Sequence, residues 1–191
     1  MSEDTKDKII RAAIDLVDEK GYKGATTRMI AEVAGVNEVT LFRQFGSKQG
    51  VLEAAIEKYS FFDEIDDVMN KQIQWNLDAD LQMLSKAYQN IVGAKRGIIL
   101  ISLREEGRFP ELDQAISKLP TSYRDTLVDY FTEMINRGKM APIDARVAAT
   151  HFIMINFGYF FLKERLSDGS AAISLDDFIE NHITMFINSL R

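Results

Sequence analysis

Cysteine is absent from the 191-residue chain. That excludes disulfides, thiolate nucleophiles, iron–sulfur clusters and cysteine-ligated zinc fingers. Histidine is nearly absent: His151 and His182 lie far apart, thin material for a metal site, and no metal or cofactor is expected. Proline is scarce, with Pro110, Pro120 and Pro142 all in the second half. The long stretch before Pro110 can therefore be mostly helical without a forced break. A glycine-rich phosphate loop, a nucleophile elbow and a histidine near paired carboxylates are all missing, so no enzyme is expected. The N-terminus is polar and unlike a signal peptide. The longest apolar stretch, Phe152–Leu162, falls short of the roughly 20 residues that span a bilayer. The chain is expected to be soluble and cytoplasmic, with no membrane partner.

What is present is ordinary globular composition, 46% hydrophobic and 27% charged. The net charge of −6 is uneven. Residues 1–50 balance eight basic against eight acidic side chains, so the rest of the chain supplies the whole excess. Between Lys20 and Lys48 five basic residues face two acidic ones. A locally basic segment lets an acidic protein bind a polyanion.

Helical spacing runs almost throughout and strand alternation is almost nowhere. Ile9, Ile10, Ala13, Leu16 and Val17 form one stripe, ended by Lys20-Gly21. Thr26 or Thr27 caps a second helix with Ile30, Val33 and Ala34 apolar, and Ile30 and Val33 are expected in the core. Asn37 caps a third, carrying Leu41 and Phe45, and Ser47 opens a fourth through Tyr59. Later helices are predicted near 78–92, 95–106, 120–137, 144–166 and 175–190. Pro120 suits a first turn, and Ser174 with Asp177 a capping box. The acidic pairs Asp63-Glu64, Asp66-Asp67 and Asp176-Asp177 read as solvated helix ends.

Between the second and third helices lies Ala34-Gly35-Val36-Asn37. A small residue for close approach, followed by glycine for a left-handed turn, is the recipe for a helix-turn-helix. Leu41 and Phe45 seat the third helix, which leaves Val39, Thr40 and Arg43 pointing outward with Phe42 and Gln44 on the flanks. Such a face suits a major groove, where arginine reads guanine and apolar methyls meet thymine. Thr27, at a helix N-terminus, and Lys48 suit phosphates.

Gly21-Tyr22, Thr26-Thr27, Ile30-Ala31, Ala34-Gly35-Val36, Thr40-Leu41-Phe42, Phe45, Ser47-Lys48 and Val51-Leu52 together resemble the tetracycline-repressor (TetR) family. The resemblance covers about residues 5–60. It implies an all-α homodimer: an N-terminal three-helix helix-turn-helix domain reading a palindromic operator in double-stranded DNA, and a larger helical domain that dimerises and binds an effector. The expected division is 3–63, with the motif at about 26–45, and 64–191. Position by position, the resemblance places Thr27 and Lys48 on phosphates, and Arg28, Glu38, Thr40 and Arg43 at base edges. It makes Val39 an apolar contact and Phe42 and Gln44 flanking ones; Asn37 completes the candidate surface. Two positions depart from the family pattern. Phe42 stands where many members have tyrosine, and Gly50 where a glutamate often closes the cap of the fourth helix.

In the second domain His151–Leu162 is apolar around most of its circumference, reading as core plus dimer interface, where Gly158 admits a partner helix. His151 and Asn156 are candidate polar groups of an effector pocket. Trp75, Met83, Tyr88, Tyr123 and Met134 are candidate lining, and Ser102 with Arg104 a candidate site for an anionic head group. The abundance of Phe and Met favours a small hydrophobic effector. The function expected is a DNA-binding transcriptional regulator, a repressor released by that effector. Alternatives are control by a protein partner instead of a small ligand, or an all-α enzyme.

Overall fold

The computed structural model describes residues 4–58, 61–105, 110–165 and 173–191, with the side chains at 56–57, 61–63, 98, 101–102, 104–105, 110–121 and 165 not described. Among the described residues every regular element is a helix. In order they are α1 (Thr5–Gly24), α2 (Thr27–Val33), α3 (Glu38–Phe45), α4 (Lys48–Lys58), α5 (Phe61–Gln72), α6 (Leu77–Ala94), α7 (Arg96–Glu105), α8 (Pro110–Asn136) and α9 (Ala145–Arg165). A last helix runs through α10 (Leu175–Asp177), a π-helical stretch (Phe178–Ile183) and α11 (Thr184–Asn188).

The chain divides into two compact units, Met1–Ser60 with Lys95–Lys118, and Phe61–Ala94 with Leu119–Arg191. The first is built on the α1 stripe. Ile9, Ile10, Ala13, Leu16 and Val17 pack with Ile30, Leu41, Val51, Leu52 and Ala55 in one core. Burying a side chain such as Leu41 contributes about 1.5–3 kcal/mol. Regular α1 ends where the spacing says, for Gly21 takes φ 72°. Helix α7 belongs to this unit and lies close on α1: a Cβ on Gly97 would stand 2.9 Å from Ile14 Cγ2. By compactness alone, Lys95–Lys118 groups with the first unit.

In the second unit α6 packs against α5, α9 and the C-terminal helix. Leu81, Leu84, Leu127, Phe131, Met134, Ala149, Phe152, Ile183 and Ile187 fill the core. Asp144 caps α9, accepting from Arg146 N at 2.8 Å. Ser174 caps α10, accepting from Asp177 N at 3.0 Å.

Four expectations are corrected. Val33 is 60% exposed rather than core. Helix α2 has only seven residues, and its inward face runs through Ile30, Ala31 and Ala34, leaving Val33 roughly 100° from the centre of that face. Pro120 lies inside α8, and the proline at the helix start is Pro110, whose fixed φ suits that turn. Carrying the helix past Pro120 forgoes one backbone hydrogen bond. Asp63-Glu64 falls at the start of a helix, as expected, but Asp66-Asp67 belongs to the body of α5, a helix the spacing did not reveal. Ile65 and Met69 are its buried line, while Asp66 and Asp67 accept from Asn70 and Lys71 one turn on. Finally, α9 as a whole is longer than its apolar stretch: Ala145–Glu164 is long and apolar enough to cross a membrane, with a third of it buried.

Candidate DNA-binding surface and effector-domain residues

Helices α2 and α3 are joined as the helix-turn-helix spacing requires. Thr26 caps α2, accepting from Met29 N at 3.2 Å. Gly35 takes φ 69°, and Val36 N bonds to Ala31 O at 2.9 Å while Gly35 N bonds to Glu32 O at 3.1 Å. This paired closure satisfies the last carbonyls of α2. Asn37 caps α3 through Val39 N at 2.9 Å. Leu41 is fully buried and Phe45 packs on the same core, which fixes the roll of α3.

That roll sets what faces outward. Val39 is 72% exposed and Phe42 46%, and Arg28 and Arg43 are exposed as well. Thr40 is half-buried. Gln44 turns partly inward: it lines a groove with Ile10, Phe45 and Glu53, and its amide oxygen is buried without a hydrogen-bond partner.

Two phosphate candidates have intramolecular partners that sequence reasoning missed. The Thr27 hydroxyl donates to Glu38 Oε1 at 2.6 Å. The Lys48 ammonium donates to the Tyr22 and Ala25 carbonyls at 2.5 and 2.7 Å, and lies 3.9 Å from the Tyr22 ring centroid. Those carbonyls mark the end of α1, where the helix dipole favours a cation. The Gly21-Tyr22 pair preceding the motif was the only sequence signal for this junction.

Gly50 has a steric explanation. A Cβ there would stand 2.0 Å from the Phe45 carbonyl oxygen, so no side chain fits against the end of α3 in this packing. The cap keeps its other half, Gly50 N donating to Ser47 Oγ at 3.0 Å.

The effector candidates scatter: Ser102 and Arg104 belong to α7 of the first unit, the others to the second. Tyr88 and Tyr123 are buried and stacked at 5.9 Å, and burial holds both hydroxyls well above the ordinary tyrosine range. Met134 is fully buried. Trp75 takes φ 57°, stacks on Tyr130 at 6.0 Å and lies under Arg137, whose Cζ is 4.0 Å from the ring centroid. Its carbonyl accepts from Lys139 Nζ at 2.6 Å. The Tyr130 hydroxyl donates to buried Asp80 at 3.0 Å, and Asp80 also accepts from Gln74 N and Asn76 N, so one carboxylate organises the whole α5–α6 turn.

Met83 instead lines an open groove of about 660 Å³ between α5 and α6, with Val68, Ala87 and Ile91 among its apolar walls. Asn156 is buried as a satisfied core polar: it accepts from Ser85 Oγ at 2.6 Å and donates to Phe152 O at 2.9 Å. His151 is exposed rather than buried in a pocket, because the buried face of α9 runs through Ala148, Phe152, Asn156 and Tyr159. The side chains of Ser102 and Arg104 lie outside the described residues. Among the described residues no three metal-ligating side chains cluster.

Comparison with known proteins agrees with this geometry. Residues 9–55 match the family described as bacterial regulatory proteins, tetR family. Residues 79–189 match the C-terminal domain of AefR-like transcriptional repressors. The HTH-type transcriptional regulator YvkB of Bacillus subtilis, itself uncharacterised, is 30% identical over 186 residues, 97% of each chain. The Staphylococcus aureus biofilm-operon negative regulator IcaR is 28% identical over 129 residues, 63% of this chain and 69% of its own. The transcriptional regulator FadR of Bacillus subtilis, solved in complex with stearoyl-CoA, superposes with a TM-score of 0.76 over 96% of this chain and 98% of its own, at 20% identity. With both of its halves matched and a relative aligned along nearly its whole length, the chain belongs to the TetR family of bacterial transcriptional regulators.

Proposed function

We propose that this regulator is a homodimeric repressor that binds a palindromic operator through α3 and is released by a small hydrophobic effector. The observation that carries the DNA half is the outward face of α3, where Val39, Phe42 and Arg43 are exposed because Leu41 and Phe45 anchor the opposite side. Arg28, Glu38, Thr40 and Arg43 are the base-edge set, Val39 and Phe42 supply apolar contact, and Thr27, Asn37, Gln44 and Lys48 border them. Two copies of α3 must sit about 34–36 Å apart to enter successive major grooves.

Dimerisation is supported by an uncovered apolar face in the second unit. Val147, Met154 and Leu162 on α9 are 50%, 63% and 56% exposed, and Met185 on α11 is 70% exposed. Contiguous exposed apolar surface of this kind marks an association site. The same stripe accounts for the length and apolarity of α9, which carries Arg146, His151 and Asn156 within it.

Effector control is supported by three features: the repressor-type C-terminal domain, the acyl-CoA bound in the FadR structure, and the connectivity. Chain leaving α6 in the second unit passes directly into α7, which packs on α1 of the first. An effector shifts DNA affinity only through different affinity for two states of that arrangement. The protein acts in the cytoplasm, on DNA, with no catalytic step.

The test is direct. DNA fragments selected by the purified protein supply the operator. Fluorescence anisotropy then measures its release by long-chain acyl-CoA and other lipophilic compounds. Release at concentrations that leave the fold intact supports the reading. Sequence-specific binding that no such compound relieves removes the effector and leaves a regulator under other control.

A further inference from the structure

Thr27 and Glu38 open neighbouring helices eleven positions apart, and a 2.6 Å hydrogen bond joins their side chains. The bond serves no capping purpose. Thr26 already caps α2 and Asn37 already caps α3. A hydroxyl has one hydrogen to give, so the Thr27 donor is committed to the carboxylate and is not offered to a phosphate. A hydroxyl-to-carboxylate bond is among the stronger neutral-to-ionic contacts, and here it fixes a long, half-buried side chain in one orientation at the first turn of the recognition helix.

A carboxylate fixed at that place has a narrow choice of partners on DNA. Phosphates repel it. So do guanine O6 and N7 and thymine O4, which are acceptors. Only the exocyclic amines donate. Adenine sets its amine beside the N7 acceptor, whereas cytosine offers an amine with no acceptor next to it in the major groove. We infer that Glu38 selects a cytosine at one position of each operator half-site, and that Thr27 is the residue that positions it. This inference rests on the family's DNA binding but not on any effector. It replaces the phosphate role expected of the Thr27 hydroxyl.

The experiment uses the full-length dimer and DNA selected separately by the wild type and by Glu38→Gln. The position in question is the one whose preference differs between the two selections. Glutamine reads adenine bidentately, so the preference there should pass from cytosine to adenine. On the wild-type operator, replacing that cytosine by any other base should cost about 10–100-fold in affinity. Replacing it by 2-pyrimidinone, which lacks only the amine, should cost the wild type nearly as much and Glu38→Gln little.

Thr27→Val keeps the shape and removes the donor. It should reduce discrimination at this one position severalfold while leaving affinity for random DNA and the salt slope unchanged, and Thr27→Ser should restore the discrimination. Three results overturn the proposal. One is a pair of selections with the same preferences. Another is a Thr27→Val protein weakened equally on all DNA with a flatter salt slope, which makes Thr27 a phosphate ligand. The last is a lower melting temperature with discrimination intact, which makes the bond a brace between α2 and α3. Absence of sequence-specific binding by the wild type would instead strike at the operator-binding reading itself.

Discussion

At the scale of single residues, exposed Arg43 and half-buried Lys48 should behave differently. Arg43 lies across α3 from Leu41 and Phe45, so Arg43→Ala should leave melting unchanged. It should lower discrimination at one position of each half-site by roughly 1–3 kcal/mol, with a far smaller effect on random DNA. Binding curves on the operator, its single-base variants and random DNA at one salt concentration decide it; equal weakening on all three would make Arg43 a phosphate ligand. Lys48→Ala should cost stability as well, because the Tyr22 and Ala25 carbonyls lose a cationic donor. The loss should be about 1.5–3 kcal/mol, seen in thermal unfolding. The salt slope should also fall by about one for each phosphate that is no longer neutralised. A lower melting temperature with an unchanged slope would confine Lys48 to the junction of α1 and α4. The sequence spacing placed Arg43 on the outer face because α3 is short and its two anchors are unambiguous, and it placed Lys48 just after α3. It did not locate their intramolecular partners. Glu38 and Thr27, or Lys48 and Ala25, meet only once the turns are folded, and nothing in a linear pattern marks such a pair.

At the scale of elements, legibility followed how one-sided the burial is. Helices α1 to α4 form around one stripe, with glycine at each break and a capping side chain at α2, α3 and α4, so periodicity and punctuation agreed. Helix α5 was hidden because its acidic outer face outweighed the short Ile65–Met69 line in the sequence. Helix α9 is buried on one side and apolar on the other, so its period was blurred and His151 was placed inward when it faces out. Asn156 shows what holds α6 to α9. It is fully buried and takes hydrogen bonds from Ser85 and Gln89 on α6, the latter through its carbonyl at 2.9 Å. Asn156→Ala should destabilise the protein by at least about 1–3 kcal/mol, because the Ser85 hydroxyl is left buried without its acceptor. Chemical denaturation measures the loss. Adding Ser85→Ala should recover part of it, since the stranded hydroxyl is then gone; strict additivity would show that the two groups are not coupled.

For the whole molecule, the decisive quantity is association. Gly158 lies on α9 near Met154 and Leu162, and a Cβ there meets nothing within 4 Å among the described residues. The first atom of a leucine side chain therefore meets no described neighbour, and a second copy packed on α9 is the expected source of damage in Gly158→Leu. Sedimentation velocity should show a weaker dimer with helical content unchanged by circular dichroism, as expected for overpacking where two helices approach closely. A dimer of undiminished strength would move the interface elsewhere. Operator binding should weaken in parallel, because two half-sites then cease to be read as one.

Trp75 is the sole tryptophan of the chain, and its indole stacks on the Tyr130 ring and meets the Arg137 guanidinium. The turn between α5 and α6 is tethered there to the residues just after α8, through Arg137 and Lys139. The protein thus carries its own optical gauge. Near-ultraviolet excitation at the red edge of the protein band reports a single site per protomer. Any sliding of α8 against that turn will register as a change in emission colour or lifetime, without a label and in the unmodified protein.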